Sequence, residues 1–269
     1  MPPSGHISVA RPLRINPRWG IARAVIPVKV GTGGAGVDAA RVADALGADV
    51  VEVPEEGFQG MLLSGDIDAY VAWYDRVPQG LDPGLTLAAV LPRDLPGLAS
   101  TVPIHDVPDG SEIAVPSEIL ELIFKEELPG VTATMEPSGE PACSVRPRAV
   151  LDGHPLDEDV FIGSPGTGSV AVFTRKNDDS VNAVRSLNHM PSRTAAEAER
   201  AVMNLMGVPP WAPLGVRADV EGDAIRIRAV SYCYGADGRR CDEWVPIDYV
   251  MDEVLGIAEY LANKRDSVI

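Results

Sequence analysis

The sequence has little of what disulfide-linked, metal-binding or membrane-spanning proteins need. Its 269 residues include only three cysteines and four histidines, scattered without the spacing of a metal site. The odd number of cysteines predicts reduced thiols, and we expect a cytoplasmic protein without a bound metal. No apolar run approaches the roughly 20 residues of a transmembrane helix, and the N-terminal segment lacks the apolar core of a signal peptide.

Basic residues are also scarce. The chain has 23 Lys and Arg against 39 Asp and Glu, which gives a formal net charge of −16 and an isoelectric point of about 4.6. Such a surface repels nucleic-acid phosphates and anionic lipids, so neither nucleic acid nor a membrane is an expected partner. The length allows one large domain or two to three small ones.

Apolar periodicity predicts strands and helices in alternation along the first two thirds of the chain. Strands are expected at 24–30, 49–53, 68–73, 85–91, 111–115, 131–135 and 169–174, and helices at 37–46, 58–64, 117–127 and 180–187. The first strand, a glycine-rich loop, a helix and the next strand form a βαβ unit, which favours a parallel sheet. Residues 138–159 show no regular pattern.

The glycine-rich loop allows a second interpretation. Gly31, Gly33 and Gly36 match the spacing of the dinucleotide-binding fingerprint, and Glu52 stands where an acidic ribose partner is expected. The rest of the chain does not continue into alternating βα units, but this alternative stays open. On either interpretation, backbone N–H groups at a helix N-terminus are offered to a carboxylate or phosphate.

Residues 190–269 are predicted to form a small sheet with two helices packed on it. A capping box at 194–197 is expected to open the first helix, Gly207 to end it, and Asp248 to cap the second. Apolar and basic residues alternate in Ile225–Arg228, which indicates a strand with one face buried and one in water.

One segment resembles the catalytic segment of the hydroxymethylbilane synthases, also called porphobilinogen deaminases: AERAVMNLMGVPPWAPLGVRA, from Ala198 to Ala218. In that family an Ala-Glu-Arg-Ala helix precedes a loop whose cysteine binds the dipyrromethane cofactor through a thioether, and a Pro-Ile-Gly run follows. Here 198–201 and 213–215 match the flanking runs at the same spacing, and Pro210 stands at the cysteine position. Because proline has no thiol, the resemblance implies a member without that cofactor.

Three earlier segments resemble the same family in the right order: VKVGTGGAGVDAARVADALG, SGDIDAYVAWYDRVPQGLDPGLTLAAVLPRDLP and SPGTGSVAVFTRKNDD. The resemblance covers most of the chain from about Val28 onward, with gaps. It implies an α/β fold with two periplasmic-binding-protein-like lobes around a cleft and a small α+β C-terminal domain. The implied boundaries are 1–103 with 169–188 for lobe 1, 107–165 for a truncated lobe 2, and 190–269 for the C-terminal domain.

Most charged residues that the family places in its cleft are replaced here. The replaced positions hold Gly33, Ala35, Ala72, Trp73, Asp75, Arg76, Ile119 and Leu120. Porphobilinogen carries two carboxylates and a growing polypyrrole carries many, and buried carboxylates need charged partners. The resemblance therefore implies a different ligand, a small aromatic or pyrrole-like molecule with one or two carboxylates.

The aligned positions define the expected site. Asp75 and Arg76 are the expected catalytic residues, and the expected substrate-binding residues are Thr32, Gly33, Gly34, Trp73, Tyr74, Ser117, Arg148, Thr167 and Trp211. Asp75 would move protons, Arg76 with Arg148 would hold the carboxylate, and the aromatic residues would stack on a flat ring. The aromatic residues are equally consistent with filling the space of deleted segments, and adjacent Asp-Arg pairs are more often structural.

We therefore expect a repurposed hydroxymethylbilane synthase-like enzyme of specialised, natural-product metabolism that works without a cofactor. The family releases ammonia from a pyrrole methylene group and then forms a carbon–carbon bond, which indicates deaminase, condensation or lyase-type chemistry. Two alternatives stay open. One is a non-catalytic, ligand-binding or regulatory homologue, and the other is tetrapyrrole synthesis with a non-covalent primer.

Overall fold

The computed structural model describes residues 29–33, 36–176, 180–235 and 238–262. Its helices are α1 (Gly36–Leu46), α2 (Phe58–Ser64), α3 (Glu118–Glu127), α4 (Ser180–Arg185), α5 (Met190–Met206) and α6 (Val250–Leu261). Its strands are β1 (Lys29–Thr32), β2 (Asp49–Glu52), β3 (Ala69–Trp73), β4 (Leu85–Val90), β5 (Leu98–Ser100), β6 (Glu112–Ala114), β7 (Thr132–Thr134), β8 (Cys143–Pro147), β9 (His154–Pro155), β10 (Val170–Arg175), β11 (Leu214–Glu221), β12 (Ala224–Ser231) and β13 (Arg239–Pro246). None of the described helices combines the length and apolar character needed to span a bilayer.

Lobe 1 is built on a five-stranded sheet in the order β2-β1-β3-β10-β4. Strand β1 runs parallel to β2 and β3, which confirms the βαβ unit, and β10 is antiparallel to β3 and β4. Helices α1 and α4 contribute to the core on one face, and α2 contributes Phe58 and Leu62 to a second core. The return of β10 places the loop before it, 163–169, beside the end of β3.

Lobe 2 has a second five-stranded sheet, in the order β7-β6-β8-β5-β9. Ile119, Leu120, Ile123 and Phe124 of α3 are fully buried in its core. Residues 138–159 show no regular pattern in the sequence, yet β8 and β9 lie there and both pair with β5. Such short strands depend on a partner far away in sequence, and a local pattern does not reveal that partner.

The C-terminal domain is an antiparallel sheet, β11-β12-β13, with α5 and α6 sharing its core. Gly207 ends α5 at φ +70°, as predicted. The predicted start of α5 is wrong: the helix begins at Met190, where the His189 ring accepts the N–H of Ser192. The predicted cap of α6 is also wrong, since Asp248 lies in a preceding 3₁₀ turn and makes no capping hydrogen bond.

The second face of β12 is not in water as the alternation suggested. Arg228 is only 5% exposed and forms ion pairs with Asp159 of lobe 2 and with Asp219 of β11. Arg217 likewise pairs with Glu158 of lobe 2 at 2.9 Å. These buried arginines attach the C-terminal domain to lobe 2. The three sheets together show the expected α/β fold of two lobes with a small third domain. The precise domain boundaries stay a prediction.

Candidate functional site

A cleft of about 760 Å³ is lined by residues of both lobes and by the loop that follows α5. Six of the residues predicted from the sequence line it: Trp73, Asp75, Arg76, Ser117, Thr167 and Trp211. Lobe 2 adds residues that the sequence did not single out, including Met135, Arg146 and Val150. Residues distant in sequence thus meet around one space, with Pro210 on its rim.

Tyr74 and Arg148 are two of the predicted residues that do not line the cleft. Tyr74 is below the cleft, where its ring lies 5.1 Å from the guanidinium carbon of Arg200. Arg148 is directed to the contact between lobe 2 and the C-terminal domain, where it forms an ion pair of 3.9 Å with Glu158. Arg148 is therefore not positioned to contact a ligand in the cleft.

The glycine-rich loop also contributes no described residue to the cleft lining. Thr32 is buried at the end of β1, and Gly34 lies outside the described residues. A Cβ at Gly31 would approach Ile67 Cδ1 to 2.8 Å, and one at Gly33 would overlap the Tyr70 hydroxyl. Packing inside lobe 1 therefore accounts for two of the fingerprint glycines without a ligand.

Asp75 is the polar centre of the cleft. It lies in the 3₁₀ turn Tyr74–Arg76 directly after β3. Thr167 Oγ1 donates to its Oδ2 at 3.3 Å, and its buried Oδ1 has no hydrogen-bond partner among the described residues. Burial raises the pKa of the Asp75 carboxyl above its ordinary range, against the opposing effects of Arg76 and Thr167. A raised pKa keeps the carboxyl protonated to a higher pH than an ordinary aspartate, and the protonated form is the one that can donate a proton.

Two arginines face the cleft from opposite lobes. Arg76 and Arg146 are both exposed, and neither forms an ion pair in the described chain. Arg146 follows Val145 on β8, where Cys143 and Val145 are buried. Because side chains alternate along a strand, this pattern places Arg146 on the open face and could have identified it from the sequence.

Apolar surface and two acids complete the cleft. Trp211 is 75% exposed, and Val150 and Met135 are also exposed, so a flat ligand can bury apolar surface here. Glu55 and Glu118 line the same space. The charge of the cleft is therefore close to balanced, and two guanidinium groups are its only cations among the described residues.

The dipyrromethane cofactor of the porphobilinogen deaminases does not fit this cleft, because its attachment needs a cysteine thiolate. Cys143 is 1% exposed in the core of lobe 2, and Cys233 and Cys241 lie in the C-terminal domain. Burial raises the pKa of Cys241 to about 12 and also raises that of Cys233. No cysteine lines the cleft, and Pro210 occupies its rim.

Replacing Asp75 by asparagine is expected to stabilise the protein at pH 7. A carboxyl whose pKa is raised by folding adds stability below its unfolded pKa and loses that contribution as pH rises through the folded pKa. Asparagine does not ionise, so it avoids the cost of ionising the buried carboxyl as pH rises, and its amide oxygen keeps an acceptor for Thr167; we expect a gain on the order of 1 kcal/mol. Urea unfolding at pH 7 and at about pH 4 checks this. The gain should shrink at the lower pH, and a less stable variant at pH 7 would contradict the assignment.

The curated proteins that are similar to this chain in sequence include several porphobilinogen deaminases. The chain is 30% identical to the probable porphobilinogen deaminase of Ignicoccus hospitalis over 217 residues, which are 69% of this chain and 71% of that protein. It is 29% identical to the probable porphobilinogen deaminase of Methanothermobacter thermautotrophicus over 192 residues, 63% and 66% of the two chains. The porphobilinogen deaminase of Nitrobacter hamburgensis is 27% identical over 216 residues, 67% of each chain.

No protein-family model matches the chain. Similar solved structures include the BenM effector binding domain with its effector benzoate, at 15% identity and a TM-score of 0.36 over 60% of this chain and 90% of that one. They also include CbnR, a LysR family transcriptional regulator, at 16% identity and a TM-score of 0.37 over 59% and 66% of the two chains.

Proposed function

The chain belongs to the porphobilinogen deaminase family, and we propose that it is a repurposed member that binds a small aromatic or heteroaromatic carboxylate without the dipyrromethane cofactor. One observation carries the proposal: two unpaired guanidinium groups, Arg76 and Arg146, line the same cleft as the buried carboxyl of Asp75. A carboxylate ligand would form an ion pair with both arginines, neither of which has an ion-pair partner within the described chain.

The balance of charge supports a small ligand rather than a polypyrrole. A growing polypyrrole carries many carboxylates, and Glu55 and Glu118 would repel some of them. Arg76 and Arg146 together can form ion pairs with one or two carboxylates. Trp73 and Trp211 supply aromatic surface on which a flat ring can stack.

The proposed chemistry is a deaminase, condensation or lyase-type reaction in specialised metabolism. In its protonated form, the Asp75 carboxyl would protonate a leaving group such as an amine, and the resulting carboxylate would lie beside the cation that forms. The family's own chain-building reaction requires a cysteine, and the cleft has none. This difference supports a reaction other than the porphobilinogen deamination for which the relatives are named.

Calorimetric titration with pyrrole-2-carboxylate, and with its neutral analogue pyrrole-2-carboxamide, tests the proposal. We expect the acid to bind and the amide to bind at least tenfold more weakly, because a hydrogen bond to a charged partner contributes about 1.5–3 kcal/mol. The two probes have nearly the same shape, so the comparison isolates the charge. Equal affinity for both, or no binding of the acid, would contradict the proposed site.

Incubation with porphobilinogen, followed by denaturation and intact-mass measurement, separates this function from tetrapyrrole synthesis. An unmodified mass with unchanged porphobilinogen is the expected result. A mass increase in steps of one pyrrole unit would show that another residue replaces the missing cysteine, and the proposal would fall. Binding of carboxylates without turnover of any amine-bearing pyrrole would favour a non-catalytic binder.

A further inference from the structure

Two charged residues of α5 are buried and hydrogen-bonded to segments that carry residues of the cleft. Glu199 is 1% exposed and Arg200 is 6% exposed, although charged residues are rarely buried to this extent unless they are paired. They are the central pair of the Ala-Glu-Arg-Ala run at 198–201. Their partners lie in lobe 1, in the segment that returns from lobe 2, and in the C-terminal sheet.

Glu199 holds the segment 164–168, through which the chain returns from lobe 2 to lobe 1. Its Oε2 accepts the N–H of Gly166 at 2.7 Å. Its Oε1 accepts the N–H of Ala218 at 2.9 Å and the guanidinium of Arg93, also at 2.9 Å. Both carboxylate oxygens are therefore occupied, and the segment 164–168 is fixed to α5 through Gly166.

Arg200 holds the turn that carries Asp75. Its Nη2 donates to the carbonyl of Val77 at 2.8 Å, and its Nη1 donates to the carbonyl of Tyr74 at 3.3 Å. The guanidinium thus bonds to the backbone on both sides of Asp75. The planar fork of arginine suits this double contact, whereas a lysine would offer a single point charge.

The two segments held by α5 touch each other at Asp75. Gly166 has φ +93°, and a Cβ there would approach the backbone nitrogen of Asp75 to 3.1 Å. The neighbouring residue, Thr167, donates to the Asp75 carboxylate. The burial of Asp75 therefore depends on a contact between segments that Glu199 and Arg200 hold from below.

We propose that Glu199 and Arg200 are positioning residues of the cleft, which keep the Asp75 carboxyl buried beside Thr167 by fixing the segment 164–168 against the turn Tyr74–Arg76. The inference rests on the proposed function of Asp75 as proton donor, but its contacts are independent of the ligand. It also explains why the Glu-Arg pair is present in a chain that lacks the cofactor cysteine.

The test is the titration of Asp75 in ligand-free protein labelled with ¹³C at the aspartate carboxyl carbons. The Asp75 signal is assigned by its loss in Asp75→Asn. In Glu199→Gln the amide nitrogen cannot accept a hydrogen bond, so an N–H donor of Gly166, Ala218 or Arg93 loses its acceptor. We expect the segment to loosen, water to reach Asp75, and its titration midpoint to fall toward the ordinary aspartate value. The matched control is Glu197→Gln, which removes the same charge from an exposed ion pair with Arg193 on the same helix.

Two further variants keep the proposal testable. Thr167→Val removes only the hydrogen bond to the carboxylate and should move the midpoint upward, opposite to Glu199→Gln. Gly166→Ala leaves Glu199 intact and separates Gly166 from the Asp75 backbone, because the added Cβ would lie 3.1 Å from the Asp75 nitrogen. This variant should lower the midpoint even if Glu199→Gln fails to fold.

If the folded variants at 199 and 166 shift the midpoint no more than Glu197→Gln does, or shift it upward, the positioning role is wrong. Failure of pyrrole-2-carboxylate to bind would overturn the proposed function and leave this result unaffected.

Discussion

Arg146→Met is expected to weaken the binding of pyrrole-2-carboxylate by roughly 10- to 100-fold, because a hydrogen bond to a charged partner contributes about 1.5–3 kcal/mol. Arg146 lines the cleft from β8 and forms no ion pair in the described chain, so its removal leaves no protein carboxylate uncompensated. Methionine preserves much of the apolar stem. The folded protein should therefore be unchanged, and the loss should appear only in the titration.

Arg148→Met is the matched control, because it removes the same group two residues further along the chain. Arg148 is paired with Glu158 at 3.9 Å and lies outside the cleft lining. A partly exposed ion pair of this kind contributes about 0–1 kcal/mol to stability, and we expect its loss to leave affinity within about twofold, or 0.4 kcal/mol. An equal loss of affinity in both variants, or a larger loss in Arg148→Met, would show that the carboxylate binds elsewhere.

Arg93→Met is expected to lower the free energy of unfolding by about 3–5 kcal/mol, the usual cost of leaving a buried charge without its partner. The side chains of Arg93 and Glu199 are 6% and 1% exposed, and the pair joins lobe 1 to α5. Methionine would leave the Glu199 carboxylate with only neutral backbone donors. Urea unfolding at pH 7, followed by far-ultraviolet circular dichroism, measures the change.

The exposed pair of Arg193 and Glu197 on the same helix provides the comparison. Glu197 is 46% exposed in this i,i+4 pair, so Arg193→Met should cost no more than about 0.5 kcal/mol. A loss below about 1 kcal/mol in Arg93→Met would place it in the range of exposed pairs. That result would mean that the joint between lobe 1 and α5 does not depend on this charge pair.

The parts of the fold that depend on local sequence were predictable. Helix α2 has the bounds expected from apolar spacing, and Gly207 ends α5 because an αL residue without a Cβ is favoured there. The start of α5 was not predictable in this way. The capping box at 194–197 has the right residues, but Pro191 and the His189 ring stabilise a helix start further upstream.

The cleft was predictable only where it depends on aligned positions. Asp75, Arg76 and Trp211, which the resemblance singled out, line one cleft, and their roles there stay predictions. The arginine of lobe 2 was assigned to Arg148 rather than Arg146, because the strand that orients both was not recognised. Its partner β5 is more than 40 residues earlier in the chain, and pairing at that distance leaves no signal in a short window of sequence.

Glu199 contacts lobe 1, the segment 164–168 and the C-terminal sheet at the same time. This position affects how members of the family are recognised from sequence. A search for the Ala-Glu-Arg-Ala motif detects the residues that hold the domains together. A fold can keep these residues after its reaction has changed. Pro210, next to Trp211, stands at the position of the cysteine that attaches the cofactor, so this position reports on the chemistry rather than on the fold. Sorting homologues by whether that position is a cysteine or, as here, Pro210 would separate those able to attach the cofactor from those that are not.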